Sequence, residues 1–417
     1  MTQRQIAVVG GGVVGVCTAY FLAEAGHDVV VIERHQNVAQ EASFAHGGIV
    51  APGYAEPWAA PGMPQKFFSQ LLRAEAPVAL KATLDRTMWR WVRRWMAECE
   101  LERYRINHMR MQRLSLYSRD ILRQIRDYYQ IDYEQTQGVL QLFRTEKDRQ
   151  LAEPGIELLA ENAVPHQVLD AAGVREVEPA LASDTPLAGG LYLPQDEAGN
   201  CPLFTKRLKQ IAGSIGVQFH FTSTVHAIES DSRGVTLHID EGRYPADAVV
   251  VAAGMDSAGL LKPLGIHVPM YPVKGYSATA QIKNYEQAPL TAVVDDAYRV
   301  AITRLGGRIR VAGTAELGAR SNELRDRALR TLLKVGGDWF PDAANYAQAN
   351  FWSGMRPMLP DGPPLIGATP VRNVFVNIGH GSNGWAMAAG SGKVLADIIS
   401  GYAPDIDMDG LTLSRYG

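Results

Sequence analysis

Gln5-Ile6-Ala7-Val8-Val9-Gly10-Gly11-Gly12-Val13-Val14-Gly15 decides the fold. Gln5 to Val9 is a short apolar run, of the kind that forms a strand buried on both faces of a parallel sheet. The glycine turn follows at once. Val16 to Ala25 is patterned as a helix closed by Gly26, and Asp28 to Ile32 is a second apolar strand ending on Glu33. Strand, Gly-x-Gly-x-x-Gly, helix, strand and acid make one dinucleotide-binding βαβ unit. Gly10 permits the tight turn, Gly12 lets the main chain approach a pyrophosphate, and Gly15 lets helix and strand pack closely. The phosphates meet the free N–H groups and the positive dipole end of the helix. Glu33 lies 18 residues beyond Gly15. It accepts hydrogen bonds from a ribose diol and repels a 2′-phosphate, which disfavours NADP. The motif alone serves NAD or FAD, and its place at the N-terminus leans towards FAD.

Bulk properties narrow the class. The 417 residues exceed one simple core, so two interwoven domains are expected. Hydrophobic residues at 46% and charged residues at 20% are those of an ordinary soluble globular protein, and a net charge of −3 offers nucleic acid no footing. Cys17, Cys99 and Cys201 make no CxxC or zinc spacing. No metal site is expected, and the thiols read as reduced in a cytoplasmic protein. No secretory signal, no transmembrane run and no repeat is evident.

The remaining chain reads as alternating elements. A short helix is expected to start at Ser43. Gly47 and Gly48 form a small-residue turn that could pass under a flavin. Residues 52–62 make a rigid aromatic, proline-rich loop, either a surface linker or an active-site wall with Tyr54 pointing inward. Helices are expected over 66–72, 78–83, 87–102, 110–129, 153–163, 169–181, 202–213 and 323–340. In the third of these, Trp91 and Trp95 share one face, and Arg90, Arg93 and Arg94 crowd the other. Such a helix lies at a membrane surface or packs on its own protein. Strands are expected over 138–145, 189–194 (ending in an acidic loop, 195–200), 218–221, 224–229, 234–239 and 374–377. An antiparallel sheet over 277–282, 292–295, 298–304 and 308–312 is the expected floor of a substrate pocket. Ala246 to Ala253 is a fully buried strand ending in Gly254. By analogy with two-dinucleotide-fold flavoproteins it runs beside Gln5–Val9, with Val225 touching the adenine. Gly379-His380-Gly381 opens a long apolar helix to about Ile399, a second dipole site that suits the flavin N1–C2=O edge.

Three separated motifs now agree in order: Gly10 to Gly15 with Glu33, Gly354-Met355-Arg356-Pro357 with Pro360-Asp361-Gly362, and Gly379-His380-Gly381 before a helix. The sequence resembles the D-amino-acid oxidase superfamily of FAD-dependent oxidoreductases, and within it the small subunit of bacterial D-amino acid dehydrogenases. The likeness runs almost the whole length. It includes Tyr54 to Gly62, Leu140 to Glu146, Glu176 to Leu181, Tyr271 to Ser277 and Ile302 to Arg304. His46 is a departure, since the family leads one to expect Asn there.

The resemblance implies an α/β fold: a Rossmann-type βαβ in a discontinuous FAD-binding domain (1–62, 150–186, 199–264, 352–417) and an α+β substrate domain with a mainly antiparallel sheet (63–149, 187–198, 265–351). It implies non-covalent FAD, since no cysteine follows Cys201. Cofactor contacts are expected at Val9, Gly10, Gly12, Val13, Val14, Gly15, Glu33, Arg34, Ser43, His46, Gly47, Gly48, Val225, Ala253, Gly254, Gly354, Arg356, Gly379, His380, Gly381, Asn383 and Gly384.

It further implies oxidation of a D-amino acid to an imino acid, which water hydrolyses to a 2-oxo acid and ammonia. The electrons go to a quinone or another membrane acceptor. Little side-chain chemistry is needed beyond orientation. A guanidinium fork holds a carboxylate best, which singles out Arg356. Tyr54 and Tyr298 either donate hydroxyls to that carboxylate or merely wall the pocket. Lys274 sits near the flavin or on the surface, and His380 contacts the isoalloxazine or only supports its loop, the second being preferred. Peripheral attachment to the cytoplasmic face of a bacterial inner membrane is expected. An oligomer or partner subunit stays open. Two alternatives remain: an oxygen-using glycine, sarcosine or D-amino acid oxidase releasing hydrogen peroxide, and a flavin-binding partner without turnover.

Overall fold

The computed structural model describes residues 3–65, 78–80, 85–319 and 321–416. The opening unit forms as expected: β1 (Gln5–Val9), α1 (Val13–Glu24) and β2 (Asp28–Ile32). β1 and β2 pair in parallel, with Ile6 opposite Val29 and Val8 opposite Val31. Ile6, Ala7, Val8 and Val31 are fully buried, which is why the run is apolar without alternation.

Distant segments complete this sheet. Ala248–Val251 lies parallel to β1 on its other edge, and Val374–Ile378 continues beyond it in parallel. Gln218–His220 extends the β2 side, and Leu365–Ala368 closes the far edge antiparallel, giving six strands. α1, the helix Gly384–Ser400, the long helix Leu101–Tyr129 and Cys201–Ser214 cover one face. Val16, Leu22, Leu114, Leu122, Phe204, Trp385 and Leu395 share one core there. A three-stranded antiparallel sheet (Val225–Ser230, Val235–Ile239, Gly242–Ala246) covers the other face.

Ten further strands among the described residues form a second, mainly antiparallel sheet. Its spine runs Asn350–Met358, Tyr271–Gln281, Arg308–Leu317, Val300–Leu305, Ala292–Asp295, Thr136–Phe143 and Gly189–Ala198. The helix Asp326–Trp339 buries Leu332, Val335 and Trp339 against it.

Several expectations are corrected. Ser43 sits in a turn, not a helix. Residues 66–72 and 81–84 lie outside the described residues, and Val78–Leu80 is a strand paired with Ala315–Leu317. Residues 167–169 are a strand, and only Ala171–Val177 of the expected 169–181 helix forms. The acidic stretch 195–198 is no loop; it continues the strand Gly189–Ala198. Glu197 is buried there because the Arg126 guanidinium (3.0 Å), Gln135 and the Tyr133 hydroxyl satisfy its carboxylate.

The expected partition of the chain also shifts. Within 150–186, Gln167–Leu169 pairs with Gly190–Tyr192 of the second sheet. The long helix, expected with the substrate half, packs on α1 and the six-stranded sheet. In Arg86–Ala97 the Trp91 and Trp95 face turns inward against Tyr271, Val273 and Met358. Trp91 Nε1 donates to the Met358 carbonyl at 3.0 Å. The exposed side keeps Trp89, Arg90, Arg93, Arg94 and Met96.

Candidate active site

A cavity of about 820 Å³ runs between the two sheets. Four parallel strands point their carboxyl ends into it, through Val9, Ile32, Ala252 to Gly254 and Ile378 to Gly379. This is the crevice where doubly wound sheets bind ligands.

At one end the glycine turn does what its spacing requires. Gly10 adopts φ +110°, closed to most side chains, and a Cβ on it would lie 2.6 Å from the Ala252 oxygen. A Cβ on Gly15 would lie 1.9 Å from the Gly10 oxygen, so this glycine serves helix–strand packing and does not line the cavity. Gly12, Val13 and Val14 do line it. α1 begins with no capping side chain on Gly12 and no acid in its first turn. Ser43 Oγ accepts from Val13 N at 3.1 Å. The other first-turn amides suit an anion. Glu33 lines the cavity and also holds the turn, accepting from Gly11 N (2.6 Å) and His35 N (2.8 Å). Arg34 pairs with Glu41 and Asp256 at the rim. Val225, Ala253 and Gly254 complete this end.

A second helix terminus faces the same cavity. Gly379, His380, Gly381, Asn383 and Gly384 line it where Gly384–Ser400 begins, again with no acid in the first turn. His380 Nε2 lies 3.0 Å from Ser391 Oγ, and burial draws its pKa down to about 3, so it is neutral. His46 Nδ1 accepts from Gly48 N at 3.1 Å, which leaves Nε2 to donate to the Ser382 carbonyl at 3.2 Å. Burial, first of all, draws its pKa down to about 4. Gly47 lines the cavity. Gly48 does not: its φ of +84° and a would-be Cβ 2.7 Å from the Gly199 oxygen assign it to chain packing.

The wall opposite comes from the ten-stranded sheet and the 52–62 loop. Gly354, Met355, Arg356, Gly313 and Thr314 face Tyr54, Glu56 and Trp58. The Arg356 fork donates to the Thr314 carbonyl (2.9 Å) and the Gly313 carbonyl (3.4 Å), and lies 5.9 Å from the Trp58 ring. Among the described residues no carboxylate pairs with it. Burial draws its pKa down to about 10.

Two expected catalytic side chains lie elsewhere. Tyr298 packs under the Arg144 guanidinium (4.9 Å) on the helix side of the sheet. Lys274 is buried, bonds the Glu323 carbonyl and sits 4.0 Å from Glu316. Neither lines the cavity. Arg299 does, and sequence reasoning missed it by one position. Both lie in the turn 296–299 between two strands, where Arg299 takes a φ of +51°, and the turn sends the Arg299 side chain into the cavity while Tyr298 goes to the helix side. Burial opposes the Arg299 charge, but Asp296, Tyr54 and Glu56 outweigh it and raise its pKa. It donates to Glu56 Oε1 at 2.9 Å and to the Tyr54 hydroxyl at 3.3 Å.

Two glycine-opened helix termini, an acid at the end of β2 and an apolar channel between them fit an extended dinucleotide such as FAD, and the far wall leaves room for a small acid. These features define a flavin-dependent oxidoreductase. The chain belongs to the FAD-dependent oxidoreductase family, whose model matches residues 5–398. A relative named D-amino acid dehydrogenase 1, from Mesorhizobium japonicum, is 46% identical over 99% of both chains. Another, named D-amino acid dehydrogenase, from Rhizorhabdus wittichii, is 47% identical over 99% of this chain and all of its own. Among solved structures, glycine oxidase from Geobacillus kaustophilus superposes with a TM-score of 0.78 at 25% identity, covering 100% of this chain and 99% of its own. L-proline dehydrogenase from P. horikoshii superposes equally well, at 0.78, with 17% identity over 99% and 98% of the two chains, and shares the fold.

Proposed function

We propose that the protein oxidises D-amino acids to imino acids, which water hydrolyses to 2-oxo acids and ammonia. The observation that carries this reading is Arg356, a guanidinium fork at the cavity wall whose only hydrogen-bond acceptors among the described residues are main-chain carbonyls. A half-buried cation in that state is matched by a ligand carboxylate, which a planar fork binds through two parallel bonds. The names of two full-length relatives support the D-amino acid as substrate.

FAD, held non-covalently by the two glycine turns, supplies the two-electron acceptor for a hydride from the substrate Cα. The protein's own part is positioning. Arg356 fixes the carboxylate, the Tyr54 hydroxyl is held by Arg299, and Trp58 and Met355 wall the site from water. Reduction of a dye by the purified protein with D-alanine tests the reading. Failure of any D-amino acid to support it would remove it.

We further propose that electrons leave for a quinone or another membrane carrier on the cytoplasmic face of a bacterial inner membrane. No helix among the described residues is long and apolar enough to cross a membrane. Exposed Trp89 and Met96 beside Arg90, Arg93 and Arg94 support contact with an anionic bilayer surface. Vesicles of anionic lipid should sediment the protein at low salt and release it at high salt. The likeness to glycine oxidase favours a second reading, an oxygen-using oxidase. Peroxide formed in step with substrate consumption would establish it instead.

A further inference from the structure

The main cavity has a small neighbour. A chamber of about 50 Å³ lies behind Tyr54, Glu56 and Arg299, which line both spaces. It has room for roughly three waters. Asp296, Tyr104 and His108 add polar walls. Glu56 accepts from Arg299 through Oε1 and from the Tyr104 hydroxyl through Oε2 at 3.0 Å. Asp296 lies 3.4 Å from the same guanidinium and accepts from Gln141 at 2.9 Å. His108 is 2% exposed, and among the described residues its Nδ1 has no hydrogen-bond partner.

Among the described residues four carboxylates line the main cavity: Glu33, Glu41, Asp256 and Glu56. The first three belong to the nucleotide end, on Gly11 N and Arg34. Glu56 belongs to the other. Trp58, two residues on, lies beside Arg356. Arg356 in turn reaches Gly313, where an added Cβ would lie 2.6 Å from the Arg299 oxygen. The Arg356 fork and the Arg299–Glu56 pair therefore flank one space.

An amino acid arrives at neutral pH as its ammonium form, and hydride leaves Cα only when the nitrogen lone pair is free. Resting on the amino acid reading above, we infer that Glu56 takes the proton from the substrate ammonium and that the chamber behind it passes the proton on. RCH(NH3+)COO− and the Glu56 carboxylate become RCH(NH2)COO− and the carboxylic acid. An N–H bond breaks, an O–H bond forms, and no electrons are transferred. The groups facing Glu56 are Arg299 and Asp296 from the turn 296–299 that connects two strands of the second sheet, Tyr104 and His108 from the long helix, and Tyr54 from its own loop. The helix Glu146–Glu161 presents Gly155, where a Cβ would lie 3.6 Å from Glu56 Oε2 and 3.5 Å from the Tyr104 hydroxyl, ordinary contact distances.

The test uses the FAD-loaded enzyme, D-alanine and an artificial acceptor across pH. Glu56→Gln should lose about 10²–10⁴-fold in kcat/KM near neutrality, the loss shrinking as pH rises towards the substrate's own amine pKa. Glu56→Asp should recover part of it. Gly155→Ala, which places a methyl in the chamber without strain, should lower kcat/KM near neutrality and raise the solvent isotope effect while Tm holds. Infrared difference spectra on adding 2-aminoisobutyrate, which has no Cα hydrogen to lose, should show the C=O stretch of a protonated carboxyl in the wild type and not in Glu56→Gln. An equal loss at every pH, an unaltered Gly155→Ala enzyme or a missing carboxyl band would overturn the assignment. Reduction of the wild type by D-alanine separates the two readings. Its failure removes the amino acid reading, whereas a reducible wild type with a pH-indifferent Glu56→Gln variant removes the Glu56 role alone.

Discussion

Arg356→Ala separates a ligand site from a structural one. The guanidinium donates to two main-chain carbonyls and, among the described residues, meets no carboxylate. Burial lowers its pKa from the ordinary arginine value to about 10. A base whose pKa falls on folding costs stability at every pH below that value, because it is charged in both states and less well solvated when folded. The full difference corresponds to about 3 kcal/mol. Solvent reaching a half-buried group through the cavity reduces this to roughly 1 kcal/mol. The variant should therefore unfold at the wild-type temperature or slightly above it. Binding should respond in the opposite sense. Losing the fork for a desolvated carboxylate costs about 2–5 kcal/mol, a rise in KM of about 30- to 5,000-fold. Arg356→Lys keeps the charge but not the fork and should recover only part. Calorimetry and anaerobic dye reduction with D-alanine measure the two effects. A fall in Tm of several degrees with KM unchanged would show that Arg356 merely props the sheet.

Three further outcomes are expected. Gly12→Val should fold but purify colourless: φ at Gly12 is −69°, and among the described residues an added Cβ meets only Ser43 Oγ at 3.5 Å, so the side chain offends the cofactor and not the chain. Absorbance of the bound flavin measures this. Gly15→Ala should lower Tm by several degrees whether or not FAD is present, because the 1.9 Å approach to the Gly10 oxygen is a backbone clash costing at least about 1–3 kcal/mol. Asp196 is 2% exposed, and burial, first among its causes, raises its pKa to about 7. An acid raised on folding stabilises at low pH and loses that contribution as pH climbs from about 4 through 7. Asp196→Asn, which can still accept from Gly53 N, should flatten that decline and gain roughly 1–4 kcal/mol at pH 8, read from urea midpoints against pH.

The parts legible in the sequence were those dictated by local chemistry. β1 and β2 are apolar because both faces are buried, and Gly10 and Gly15 are glycines because backbone atoms crowd them. That Ala248–Val251 is a buried strand was legible from its apolar run, whereas its place beside β1 came from analogy with two-dinucleotide-fold flavoproteins. What stayed hidden depended on partners far along the chain. Residues 195–198 look like a loop until Arg126, Tyr133 and Gly53 are seen to satisfy their carboxylates. Asn350–Met358 contains Gly354 and Pro357, which mask a strand, and its place at the sheet edge tolerates both. Tyr298 and Arg299 share the turn 296–299, and which of them enters the cavity depends on that turn's backbone and on distant partners, Arg144 for one and Glu56 for the other.

The central claim is that the second wall of the FAD cavity receives a D-amino acid. Anaerobic titration of the purified yellow protein with paired D- and L-alanine tests it most directly. D-alanine should bleach the flavin band to completion, and L-alanine should leave it unchanged. A band that no D-amino acid bleaches, or that both forms bleach equally, would contradict the account.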